Sequence, residues 1–165
     1  MILVHNYGYI KPLIMNKLFD IACNFTSNRF DEDLDKVIVN AIDKNVDKFL
    51  LVSAEMGDID RILDINNLYP NNCYFTSGVH PHHANDFFDE SPSILDKLVT
   101  EHNPNAIGET GLDFFRNISS YDNQVYAFEE QIKIAIKHNK PLFLHQRDSH
   151  RDFINVLNKY KNYLH

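Results

Sequence analysis

Residues 106–113 read Ala-Ile-Gly-Glu-Thr-Gly-Leu-Asp, and the pattern they begin decides the fold. An apolar run over Asn105–Gly108 predicts a short strand, and carboxylates follow at Glu109 and Asp113. The pattern repeats on both sides. Downstream, Pro141–His145 predicts a strand that runs into Gln146, Arg147 and Asp148. Upstream, Cys73–Val79 runs into His80-Pro81-His82-His83, Lys48–Ser53 forms another apolar run, and Lys17–Cys23 runs into Asn24.

Helical periodicity fills the gaps between these runs. Leu34, Val37, Ile38, Ala41 and Ile42 recur at i, i+3 and i+4 spacing, and so do Ile59, Ile62, Leu63, Ile65 and Leu68, which Pro70 ends. Ser91-Pro92 predicts an N-cap with proline in the first turn, leading into Ile94, Leu95, Leu98 and Val99. Val125, Phe128, Ile132, Ala135 and Ile136 mark a fourth helix, and Phe153, Val156, Leu157 and Tyr160 a fifth. Asp148 or Ser149 is placed to cap that last helix. Five βα units in series imply parallel strands joined by helical crossovers. Either an open doubly wound sheet or part of a (β/α)8 barrel satisfies this pattern. No GxGxxG and no GxxxxGK[ST] occurs, so neither nucleotide-binding loop is present.

Composition narrows the function classes. The 165 residues suit one domain, and 44% hydrophobic content is enough for a core. A formal charge of -7 argues against a broad basic surface that grips nucleic acid by counterion release, though a small site whose charge comes from metal ions stays open. Cys23 and Cys73 form no CxxC pair, so a zinc ribbon or a dense disulfide framework is not indicated and a reducing, cytoplasmic setting is expected. No apolar run is long enough to span a bilayer, and Met1–Val4 lack the basic flank of a secretory signal.

In parallel α/β folds the C-terminal strand ends form one rim, so the polar groups that leave these strands converge. Glu109 and His145 leave consecutive strands; a carboxylate with an imidazole suits Zn, Mn or Fe, and a carboxylate with water suits Mg. One such residue alone is an ordinary polar exit from a strand; two at adjacent ends favour a metal site. His80, His82 and His83 are either rim contacts to metal or phosphate or the imidazoles of a solvated loop. Asp113 follows Gly111 closely and fits either an outer-shell role or a surface turn. Arg147 offers a planar fork to a phosphate oxygen, or a structural pair with Asp148 or Asp152. His5, His102 and His138 fall outside the strand ends; His150 opens a helix beside the rim.

Four stretches resemble the TatD family of metal-dependent deoxyribonucleases: Phe19–Ser27 (FDIACNFTS), Gly78–His82 (GVHPH), Ala106–Asp113 (AIGETGLD) and Pro141–Asp148 (PLFLHQRD). Gln124, Phe128 and Gln131 also sit where the family pattern has them. The resemblance implies a (β/α)8 barrel with one or two divalent ions (Mg, Mn or Zn) that hydrolyses phosphodiester bonds in DNA. It implies Glu109 and His145 as metal ligands, Glu109, Asp113 and Arg147 as catalytic residues, and His80, His82 and Asn24 as contacts to substrate or metal. Many relatives carry an HxH pair on the first strand; Ala22 and Asn24 stand there in this chain. The family places a further histidine after strand six and an aspartate near strand eight, and the sequence to His165 supplies neither. The expected architecture is therefore a partial TIM-like barrel of about five parallel βα units, open rather than closed, over residues 16–165, with residues 1–15 an N-terminal extension outside the core. Open sheet edges would then favour self-association and little nuclease activity. The competing readings are a non-catalytic remnant or truncated product, or a related barrel hydrolase acting on another ester or amide.

Overall fold

A computed structural model describes residues 16–164, so the expectation for residues 1–15, and with it His5, lies outside the described residues. Five parallel strands form one sheet in the order β1 (Leu18–Cys23), β2 (Val46–Leu51), β3 (Cys73–Ser77), β4 (Ala106–Asp113) and β5 (Leu142–Arg147). Each strand pairs with its neighbour in sequence, as in a barrel wall. The crossovers carry helices α1 (Leu34–Asp43), α2 (Ile59–Leu68), α3 (Ser91–His102), α4 (Tyr121–His138) and α5 (His150–Tyr160). Among the described residues, β1 and β5 are the two edges, and the sheet is an open half-barrel as the sequence predicts.

The core is divided along the sheet. Ile38 of α1 and Ile62 and Ile65 of α2 pack with Phe49, Leu51, Cys73 and Phe75 over β1–β3. Ile107 is buried with Leu95, Val99, Ala127 and Ala135 under α3 and α4. Leu112 meets Phe128, Ile132, Phe153 and Val156 of α4 and α5, and the Phe128 and Phe153 rings stack 5.1 Å apart. The other side of the open sheet lacks such cover. Leu18, Phe19 and Ile21 of β1 are exposed, as is Leu144 of β5.

Three local expectations change. The strand predicted to stop at Gly108 continues to Asp113, because Thr110, Gly111, Leu112 and Asp113 pair with Leu144, His145, Gln146 and Arg147. Gly111 makes that pairing feasible: its φ is +144°, and a Cβ there would lie 1.9 Å from the His145 carbonyl oxygen. Helix α3 starts one residue early, with Glu90 in the N-cap position and no side-chain cap; the Ser91 hydroxyl instead accepts the Phe88 N–H. At α5, Ser149 is the N-cap residue, but its hydroxyl donates to the Leu112 carbonyl of β4 and so ties the helix start to the neighbouring strand.

Candidate metal centre

Glu109 is the one partly exposed residue of β4, whose other residues are all buried. Its carboxylate leaves the strand toward β5, and His145 Nδ1 lies 2.9 Å from Glu109 Oε1. Between β3 and α3, the turn that starts at His80 and Pro81 brings His80 Nε2 to 3.2 Å from His145 Nδ1 and 3.8 Å from Glu109 Oε1. One ligand atom from each of His80, Glu109 and His145 lies within 4.8 Å of the others, so these three residues from three strand ends have the spacing to hold a metal ion.

Behind them sits Asp113, 1% exposed. Its Oδ2 is 2.7 Å from His82 Nε2 and 3.2 Å from His145 Nε2, and its Oδ1 accepts the Arg116 backbone N–H. Burial opposes ionisation of this carboxyl, but the Arg116 N–H and the two imidazoles outweigh it and hold the pKa down to about 2. Asp113 is therefore a fixed anion that orients two histidines. The strand ends are braced in turn by α4. Gln131, fully buried, accepts the Val79 N–H and donates to the Val79 carbonyl. One helical face along, Gln124 accepts the Asp113 N–H and donates to the Ser119 carbonyl. Ser53 couples the wall further: its hydroxyl donates toward the Gly78 carbonyl, and its own carbonyl accepts the Glu109 N–H.

Protonation separates His145 from His80. His145 Nε2–H faces the Asp113 anion, which leaves Nδ1 directed at Glu109, the arrangement in which a carboxylate fixes the tautomer of a metal-binding histidine. The hydrogen bond to Glu109 raises the His145 pKa, while burial opposes that rise. Glu109 shows the mirror image: burial favours its neutral form, but the His145 hydrogen bond and the nearby imidazoles bring its pKa below the usual range. Nδ1 and Oε1 thus face each other at 2.9 Å, and a cation bound between them would displace any shared proton. His80 differs. Its Nδ1 accepts the His82 backbone N–H, so the neutral ring carries its proton on Nε2. Burial pushes its pKa down to about 4, and the neighbouring imidazoles push the same way against Glu109. Ligation through Nε2 would cost the His82 N–H its acceptor. The donor set therefore suits a cation on Glu109 and His145, which His80 can join only when its proton moves to Nδ1.

The other residues singled out from sequence are placed as follows. His82 joins the cluster through Asp113. Arg147 stands at the end of β5, exposed, opposite Asp113 in the strand register, with its guanidinium over the Phe115 ring at 3.9 Å. The pair suggested with Asp148 or Asp152 does not form; Asp152 accepts instead from Tyr121. Asn24, at the end of β1, is exposed, and its side-chain oxygen accepts from Thr26. His83 lies 3.7 Å from Glu55, and His138 meets Asp96 at 2.8 Å at the end of α4. Sequence reasoning missed Phe115, a member of the same loop as Arg116 whose only sequence signal is its place two residues after Asp113.

The sequence and fold are similar to those of known proteins. Residues 19–165 match the family described as TatD related DNase. A "3'-5' ssDNA/RNA exonuclease TatD" of Erwinia tasmaniensis is 39% identical over 140 residues, covering 85% of this chain and 54% of that protein. The protein of the same description from Cronobacter turicensis is 41% identical over 140 residues, covering 85% and 53%. The chain thus spans about half the length of the curated relatives it matches. Among solved structures, a TatD homolog from Escherichia coli k12 superposes with a TM-score of 0.80 at 26% identity, covering 87% of this chain and 56% of that one. An uncharacterized amidohydrolase from Saccharomyces cerevisiae gives 0.79 at 27% identity, covering 87% and 52%. With a family match over nearly its whole length, this chain belongs to the TatD-related DNase family.

Proposed function

We propose that this chain supplies the β3–β5 part of a divalent-metal site that hydrolyses phosphodiester bonds in single-stranded nucleic acid. One observation carries the reading: a buried, ionised Asp113 holds His145 so that Nδ1 faces Glu109 Oε1 at 2.9 Å. Glu109 and His145 are the proposed ligands. When bound, a divalent ion there supplies Lewis-acid polarisation of the phosphodiester. Asp113 acts through the histidines it holds, keeping His82 and His145 in one tautomer and orientation. His80, kept neutral, directs its Nε2–H into the space in front of Glu109 and can donate to a phosphate oxygen there. Arg147, at the same rim, has N–H groups that suit a second phosphate oxygen. Single-stranded nucleic acid is proposed as substrate because that is what the relatives from Erwinia tasmaniensis and Cronobacter turicensis are described as degrading.

Titration of the purified chain with Mn, followed by calorimetry, tests the ligand assignment. Binding should release protons and should weaken about 10- to 100-fold or more in Glu109→Gln. Equal Mn affinity in both proteins would remove Glu109 from the site. Incubation of the same proteins with labelled single-stranded DNA and RNA tests the reaction. Cleavage that Glu109→Gln does not diminish would show that any hydrolysis comes from elsewhere.

A further inference from the structure

The loop after β4 exposes apolar side chains beside the metal centre. Phe115 is 60% exposed and Ile118 55%, whereas the adjacent Phe114 ring packs against Tyr121 at 5.3 Å. The loop is anchored at both ends. The Arg116 N–H is held by Asp113, and the Phe114 N–H donates to the Arg147 carbonyl. At the far end the Ser119 hydroxyl donates to the His82 carbonyl and accepts the Asn85 N–H, and the Ser120 N–H donates to Asn85. Phe115 is therefore presented by a segment tied to Asp113 and His82, the residues that organise the metal centre.

One face of the Phe115 ring is covered by the Arg147 guanidinium, centred 3.9 Å from the ring centroid. The exposure of the ring leaves its other face to solvent. A stacked guanidinium keeps its N–H donors in its own plane, free to meet an anion at the ring edge. The charge distribution favours such an anion. Arg116 stands in this loop, Arg147 at the end of β5 and Arg151 in the first turn of α5, and all three are exposed. Among the described residues none of them makes an ion pair; the one arginine that does is Arg61, with Asp31. In a chain with 23 acidic and 16 basic side chains, the Arg147 guanidinium beside Phe115 has no carboxylate partner among the described residues and is free to meet a phosphate oxygen.

We propose that Phe115, backed by Arg147, is a stacking platform for an unpaired base of single-stranded DNA or RNA, and that it places the adjoining phosphate before His80, Glu109 and His145. The inference rests on the phosphodiester reading of the metal centre and adds to it how a strand is held. Aromatic stacking tolerates any base and demands an unpaired one, so the platform selects for single strands without reading sequence.

The chain has no tryptophan, so Phe115→Trp introduces one reporter fluorophore at the platform. The probes are a phosphorothioate thymidine hexamer and the same backbone without bases, both with Mg present. Stacking predicts that the thymidine hexamer binds the natural protein about 5- to 100-fold more tightly than the abasic one. Phe115→Leu should bring the two affinities together, and Phe115→Tyr should keep them apart. The indole fluorescence of the Phe115→Trp protein should be quenched by the thymidine hexamer and not by the abasic one. If the natural protein binds both hexamers equally, or if the tryptophan signal ignores the bases, the platform is wrong while the phosphodiester reading stands. If neither hexamer binds, the substrate reading fails and the platform fails with it.

Discussion

Strands β1 and β4 have similar hydrophobic sequences and opposite environments. β1 is Leu-Phe-Asp-Ile-Ala-Cys, and only Cys23 is buried; β4 is Ala-Ile-Gly-Glu-Thr-Gly-Leu-Asp, and only Glu109 is even partly open. The difference comes from neighbours. β4 lies between β3 and β5 and is roofed by α4, while β1 has a partner on one side only among the described residues. The chemistry follows the burial. Asp113 on β4 is desolvated and fixes two histidines, whereas Asp20 on β1 accepts the N–H of Ala22, two residues along the chain, and Asn24 accepts from Thr26. An enclosed wall turns polar residues into a coupled site; an edge leaves them to satisfy themselves locally.

The largest expected effect tests that contrast directly. Leu112 is fully buried against Phe128 and Ile132, so Leu112→Ala should cost about 2–5 kcal/mol in urea unfolding. Ile21 is 59% exposed, and Ile21→Ala should cost less than about 1 kcal/mol. A comparable loss at both positions would mean that β1 is covered in solution, and sedimentation of the same protein would show whether a second copy covers it.

Metal affinity gives the next contrast. His145→Ala should weaken Mn or Zn binding by about 100-fold or more, because it removes a proposed ligand and leaves Glu109 without its partner. Asn24→Ala, at the equivalent end of β1, should change it less than about twofold, since its side chain bonds to Thr26. An equal loss at Asn24 would move the metal centre toward β1 and break the comparison. Between these lies Asp113→Asn. The amide keeps the shape but loses the charge that holds His82 and His145, so affinity should fall about 10- to 100-fold with little change in ligand count. An unaltered affinity would reduce Asp113 to a structural residue of the loop.

Much of this was legible in the sequence, for identifiable reasons. Strand existence followed from short apolar runs between amphipathic helices, their order from the family resemblance, and Glu109 and His145 stood out as polar exits from consecutive strands. The full extent of β4 was not legible, because the apolar run gives way to polar residues at Glu109, while in the fold Gly108 and Gly111 let β4 approach the β5 backbone. The link between His82 and Asp113 joins residues 31 apart, and nothing local announces it. Gln124 and Gln131 were visible as family positions, yet their hydrogen bonds to Asp113 and Val79 appear only once α4 is laid across the sheet. Asn24, to which the strand-end argument also applied, lies at the end of an exposed edge strand and makes a local bond to Thr26.

The smallest effect concerns a carboxylate outside the site. Asp96 of α3 accepts from Lys137 Nζ at 2.7 Å and His138 Nε2 at 2.8 Å, both in the last turn of α4. These hydrogen bonds, Lys137 first, hold the Asp96 carboxyl below its ordinary pKa. A carboxyl depressed in the folded state stabilises it at pH values above the unfolded pKa of about 4, and that contribution is lost as pH falls through the folded value. The pair is partly solvated, so screening keeps the contribution to roughly 0.3–1 kcal/mol. Asp96→Asn should therefore lower the urea midpoint slightly at pH 7. The gap between natural protein and variant should narrow as pH drops below about 4, and 0.5 M salt at pH 7 should shrink it as well. Asp113, held down to about 2 inside the β4 wall, should keep its charge through the same pH range and respond little to salt. If the Asp96→Asn gap were insensitive to both pH and salt, the α3–α4 contact would owe its strength to packing rather than charge. The distinction between a solvated ion pair and a buried, fixed carboxylate would then need another explanation.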